Sequence, residues 1–254
     1  MIDAHCHLYS GKYDHDLPEV IHRAQKKLQA VIISAVDLES LEKSLAIRRK
    51  YHDFIYLTAG VHPRNAAKLN NEELSKIWQA IRNVEEEIVA VGEVGPDFYH
   101  IKDPRLRQRQ LSVLEDAMAQ AVAMDLPLVI HARQAEKAAL EVVSRCPTPV
   151  LFHCFAGTRQ MARQITDHGF YLSFSAILLL SSELQRAATE IPLELILTET
   201  DSPALSPRRS QRRNEPAFLE TIVSRLASLL DYPMDRVGSI TASNAVRFYG
   251  LADL

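Results

Sequence analysis

Short runs of consecutive apolar residues recur along the chain at intervals wide enough for a helix between each, and several end on a histidine or a carboxylate. Eight of these runs read as strands, over approximately residues 2–6, 30–36, 55–61, 88–94, 128–132, 150–155, 171–175 and 195–200. Their Val/Ile/Leu content is continuous rather than alternating, as expected of parallel strands covered on both faces. Between them the apolar positions take helical spacing over 38–51, 71–86, 104–124, 134–145 and 158–167, and two more helices are expected over 216–230 and 233–249. Glycine and proline mark the junctions, as in Gly60-Val61-His62-Pro63 and Gly92-Glu93-Val94-Gly95-Pro96. Eight βα units without a low-complexity linker predict an α/β fold, a (β/α)8 TIM barrel in which residues 1–254 form one domain. The alternative, an open doubly wound sheet, lacks the Gly-rich phosphate turn sought after its first strand.

Composition narrows the setting. A chain of 254 residues, 47% of them hydrophobic, can bury a large core. Cys6, Cys146 and Cys154 form an odd, sparse set without zinc-finger spacing, which points to a reducing compartment. A candidate ligand as early as His5 leaves no room for a signal peptide, so the cytoplasm is expected. No apolar stretch approaches the roughly 20 residues that span a bilayer, and no membrane or obligate protein partner is expected. A net charge of −3 leaves a polyanionic substrate open, because whole-chain charge says little about one face.

The polar residues that end the apolar runs carry the chemistry. His5, His7, Glu93, His131, His153 and Asp201 each close or immediately follow a strand, and in a barrel the carboxyl ends of the strands converge on one rim. On the first strand Asp3, His5 and His7 share a face, while Ala4 and Cys6 share the other. Two imidazoles two residues apart can grip one divalent cation, and carboxylates from other strands can complete or bridge the site. A lone His-x-His often only satisfies local hydrogen bonds; six ligand-type residues on the ends of five strands point to metal. Cys6 and Cys154 adjoin ligands but alternate away from them, so burial under the helices is expected for both.

The stretches "DAHCHL", "GVHP" (60–63), "VGEVGPDF" (91–98), "RQRQL" (107–111), "IHAR" (130–133), "HCFAGT" (153–158), "ETDSP" (199–203) and "RNEPA" (213–217) together resemble the TatD family of metal-dependent hydrolases, within the amidohydrolase-like barrels. The resemblance runs from the first strand almost to the end. It implies two divalent ions, held by His5, His7, Glu93, His131, His153 and Asp201 with Glu93 bridging, and hydrolysis of phosphodiester bonds in DNA. Three segments depart from the family pattern: Gln134 stands where an aspartate is usual, Pro96 interrupts a "GLDY"-type segment, and the seventh-strand turn reads "SFSAILLLSS".

Histidine and carboxylate ligands suit Zn, Mn or, with more oxygen donors, Mg. Asp201 is expected to orient the attacking water and take its proton, against the alternative of a helix N-cap in "TDSP". Glu199, deeper on the same strand, is expected to pair with a buried donor. His62 and Arg133 are expected to meet substrate anions, and Arg208, Arg209, Arg212 and Arg213, after the eighth strand, to clamp successive phosphates. Two rivals to a deoxyribonuclease remain: a hydrolase of another ester or amide, such as a small phosphoester, a lactone or an aminoacyl ester on RNA, and a non-catalytic nucleic-acid-binding barrel.

Overall fold

Strand alternation divides the apolar residues into two cores. Val129, Leu151 and Leu197 join Ile32, Ala90 and Tyr171 in one buried cluster. Their sequence neighbours Ile130, Phe152 and Ile196 belong to a second, larger cluster with the helices. The first lies inside a barrel and the second around it. Leu128, Val129 and Ile130 are all fully buried, so the strands can be apolar throughout.

This computed structural model describes residues 1–207 and 213–251. The first half contains β1 (Ile2–Cys6), α1 (Leu17–Gln25), β2 (Ala30–Ala35), α2 (Leu38–Lys50), β3 (Ile55–Ala59), α3 (Pro63–Ala66), α4 (Asn71–Arg82), β4 (Ala90–Val94) and α5 (Pro104–Ala123). The second contains β5 (Leu128–His131), α6 (Glu136–Val143), β6 (Val150–His153), α7 (Arg159–Asp167), β7 (Tyr171–Phe174), α8 (Ser182–Glu190), β8 (Ile196–Thr198), α9 (Leu219–Leu230) and α10 (Met234–Tyr249). The strands pair in parallel in sequence order, β1 through β8. A parallel bridge between Cys6 and Ser202 joins the two ends of the sheet, with Asp201 N donating to His5 O (3.0 Å) and His7 N to Ser202 O (2.7 Å). The expected TIM barrel is therefore the observed fold. Phe248 of α10 packs against Tyr171 in the inner cluster, and Tyr249 donates its hydroxyl to the Ala4 carbonyl at 2.8 Å.

Three of the described helices lie outside the sequence-based set: α1, α8 and the single turn α3 (Pro63–Ala66). In α8 the buried face is Leu184, Ala187 and Ala188, too small and weakly apolar to stand out as a periodic signal. In α1 the spacing of Leu17, Val20, Ile21 and Ala24 is helical, but over only nine residues.

Candidate active site

Each candidate ligand reaches the rim through its strand. Along β1 and just beyond it, side chains of one parity climb from buried to accessible. Asp3 is sealed, His5 is 1% exposed as a residue, and the His7 side chain is 18% exposed and lines an open cavity of about 540 Å³. Asp3 accepts the Thr200 amide (2.8 Å) and hydroxyl (2.5 Å), which joins β1 to the end of β8; burial pushes its carboxyl up to about 8. Glu93 sits between Gly92 and Gly95, both at φ 138°, where a Cβ would run into the carbonyls of Val129 and His131. The glycines let β4 lie close against β5 and bring Glu93 beside His131.

Glu93 is the hub. Its Oε1 lies 2.7 Å from His131 Nδ1, 3.1 Å from His153 Nε2 and 3.6 Å from His62 Nε2. Its Oε2 lies 3.5 Å from His5 Nε2 and 3.8 Å from His7 Nε2, and His7 Nε2 is 3.3 Å from Asp201 Oδ1. His5 stacks on His153, ring centroids 3.9 Å apart. One carboxylate thus presents a different oxygen to each of two groups of imidazoles.

The surroundings orient these rings. His7 Nδ1 is 3.0 Å from the Ser34 carbonyl, which leaves Nε2 free toward the centre. Behind His153 stands Glu199, 3.4 Å from Nδ1 and itself accepting the Ser173 hydroxyl at 2.6 Å; this is the buried pairing expected of it. His62 differs: its Nδ1 accepts the Arg64 amide at 3.1 Å, so the neutral ring carries its proton on Nε2. Burial holds its pKa down to about 4, and a neutral Nε2–H suits a donor to substrate rather than a metal ligand.

The same cluster governs protonation. Burial opposes ionisation of Glu93, but the charges of His153 and His62 and the bonds from His131 and His153 hold its carboxyl well below the usual range. Burial likewise works against protonation of His7, His131 and His153. Asp201 on His7, Asp97 on His131, and Glu93 with Glu199 on His153 outweigh it, so all three pKa values are raised. Burial and the neighbouring His153 lower that of His5.

A divalent cation fits this arrangement. Among the described residues His5 Nε2 and Glu93 Oε2, 3.5 Å apart, are both buried without a hydrogen-bond partner, an arrangement that a shared cation would satisfy. Three overlapping groups could hold metal: His5, Glu93 and His153; His5, His7 and Asp201; His62, Glu93 and His131.

Other expectations meet the structure unevenly. Among the described residues no helix starts at Asp201; it takes a left-handed conformation (φ 52°) in a turn, which removes the N-cap reading, and its carboxylate meets His7. Cys6 is buried as expected, but Cys154 is not under the helices. Strand β6 stops at His153, and Cys154 breaks the alternation at φ 47°, so that it lines the cavity, its thiol 3.3 Å from Ser175 Oγ. Arg133 and His62 line the cavity. Arg213 does not; both its terminal nitrogens are 2.6 Å from Asp16 and its guanidinium covers the Tyr13 ring, so a carboxylate already occupies it. Arg208, Arg209 and Arg212 lie outside the described residues. Asp97, His100 and Arg64, which sequence reasoning passed over, also line the cavity.

The comparisons agree with this geometry. A family model described as TatD related DNase matches residues 2–250. An uncharacterized metal-dependent hydrolase of Methanocaldococcus jannaschii, MJ1582, is 31% identical over 98% of this chain and 96% of its own. A protein of Edwardsiella piscicida named 3′-5′ ssDNA/RNA exonuclease TatD is 31% identical over 99% of this chain and its full length. Among solved structures, the TatD homolog YjjV of Escherichia coli superposes with a TM-score of 0.90 at 25% identity, covering 98% of each chain.

Proposed function

The chain belongs to the TatD-related DNase family, and on that premise we propose that it is a divalent-metal-dependent deoxyribonuclease that hydrolyses phosphodiester bonds with a metal-activated water. The observation that carries this reading is Glu93, whose two carboxylate oxygens face separate sets of histidines within a buried cluster where its Oε2 and His5 Nε2 have no hydrogen-bond partner. His5, His7 and Asp201 would hold one ion, His131 and His153 a second, and Glu93 both. Such ions, whether Zn, Mn or Mg, lower the pKa of water and offset the negative charge that builds on a phosphoryl group.

The protein's own groups do the rest. Asp201, ionised because His7 outweighs its burial, accepts the proton of the attacking water. His62 Nε2–H donates to a phosphoryl oxygen, and Arg133 holds the anion from the side of the β5 loop. Residues 1–254 act as one catalytic domain. No described helix is long and apolar enough to cross a membrane, and the three free cysteines favour the cytoplasm.

The test is hydrolysis of labelled single-stranded DNA and RNA by protein stripped with chelator and reloaded with Mg, Mn or Zn. Restored cleavage of DNA is expected. Full activity in the stripped protein, or cleavage of small esters alone after reloading, would reject the nuclease.

A further inference from the structure

The loops after β3, β4 and β5 are laced into one wall of the cavity. Gln110, fully buried on α5, donates from Nε2 to the Pro63 carbonyl (3.0 Å) and accepts the Asp97 amide at Oε1 (3.1 Å), joining the first two loops. Arg133 N donates to Pro96 O (3.1 Å), and Arg133 O accepts from Phe98 N (2.9 Å) and Tyr99 N (3.3 Å), joining the second to the third. Two guanidinium groups stand on this frame. Arg64 Nη2 is 3.3 Å from His100 Nε2, whose Nδ1 is fixed by Asp97 Oδ2 at 2.6 Å. Arg133 stacks on the Tyr99 ring at 4.2 Å, and that ring meets His100 edge to face at 4.9 Å.

What sets these two arginines apart is their place on the cavity without a carboxylate partner. Arg23, Arg49, Arg159, Arg163, Arg186 and Arg213 each pair with a carboxylate. Among the described residues Arg64 and Arg133 have no such partner, yet both face the cavity that holds the histidine cluster. The far wall, from the loops after β7 and β8, is apolar: Ile177, Ala204 and Leu205. A cleft with one cationic wall, one apolar wall and ligand-type residues between them matches a nucleotide on either side of a reacting phosphate. Phosphate is bound by fixed guanidinium forks, and a base is received by apolar side chains.

We propose that Arg64 and Arg133 clamp the phosphate next to the scissile one, that Asp97, Tyr99, His100 and Gln110 are positioning residues for this clamp, and that the apolar wall receives the adjoining base. The assignment rests on the nuclease reading and narrows it to substrates that carry at least two phosphates. Because His62 binds the Arg64 amide while its other nitrogen faces Glu93, the clamp is held in register with the centre.

The experiment is calorimetric binding of thymidine 3′,5′-bisphosphate and thymidine 5′-monophosphate to the metal-loaded protein, alongside cleavage of an oligothymidylate. Arg64→Gln and Arg133→Gln should each weaken the bisphosphate by about tenfold, the scale of one lost charge-assisted bond, and the monophosphate far less. His100→Phe should weaken the bisphosphate, whereas His100→Gln, whose amide oxygen can still accept from Arg64, should retain more of it. Equal losses on both ligands, or unchanged bisphosphate binding, would overturn the clamp. A protein that cuts the oligonucleotide with arginine-independent bisphosphate binding keeps the nuclease and rejects the clamp. One that binds the bisphosphate through these arginines but cuts no oligonucleotide does the reverse.

Discussion

Replacing Glu93 by Gln removes the single charge shared by the two halves of the centre while keeping its shape. In the wild type one carboxylate oxygen lies within 3.6 Å of His131, His153 and His62, and the other within 3.8 Å of His5 and His7. If each ion is present at about 100 times its dissociation constant, each adds about 2.7 kcal/mol to the folded state. For 254 residues the unfolding entropy is about 0.5 kcal/mol/K, so each bound ion raises the thermal midpoint by about 5 °C. Two ions should then raise it by about 10 °C. Gln offers one neutral acceptor oxygen and cannot bridge, so the variant should gain at most about 5 °C and hold no more than about one ion per chain. Metal-free Glu93→Gln should also melt below metal-free wild type, because His131 and His153 lose their charged acceptor. Differential scanning calorimetry with and without metal, paired with elemental analysis, measures both quantities. Two ions and a full 10 °C gain in Glu93→Gln would refute the bridging role.

Asp201→Asn should keep the fold and oligonucleotide affinity while lowering turnover by roughly 10²–10⁴, the range for a lost general base; turnover near wild type would leave Asp201 as a ligand without a proton-transfer role. Metal affinity should rise with pH, because His7, His131 and His153 hold protons above their ordinary 6.5 that an incoming ion must displace. The pKa values of His5, Glu93 and Asp201 are lowered, so these groups hold fewer protons for an ion to displace and add less to that slope. Proton release measured calorimetrically in buffers of different ionisation enthalpy should approach three per chain below pH 6.5 and fall above it; release that is flat with pH would contradict the cluster as described. Arg213→Gln should lower the thermal midpoint through loss of the Asp16 pair and leave oligonucleotide affinity nearly unchanged. A clear loss of affinity would return Arg213 to phosphate binding.

The candidate ligand set was legible because barrel geometry turns a strand-end position into a rim position: His131 and His153 end β5 and β6, and they are register partners in neighbouring strands. The rim's second tier was not. Asp97, His100 and Arg64 lie in loops, where no periodicity says which way a side chain turns, and Gln110 sits mid-helix 13 residues from the amide it binds. Cys154 shows the same limit from the other side. Alternation predicts burial under the helices, and one residue at φ 47° cancels it. The arginines after β8 read as a phosphate clamp by charge alone, but the partner that occupies Arg213 is Asp16, 197 residues away in sequence.

The seam between β1 and β8 gives the site an order of assembly. His5 and Asp201 are joined by a backbone hydrogen bond, so the contact that closes the barrel also brings together the first and last of the proposed ligands. Such a contact spans nearly the whole chain, and pairings of that separation carry the largest loop-closure cost and form late. A growing chain carries His5 and His7 long before Asp201, so the proposed centre is incomplete until the last strand is made. A barrel without β8 lacks Asp201, so full occupancy of the proposed centre would report that folding has finished.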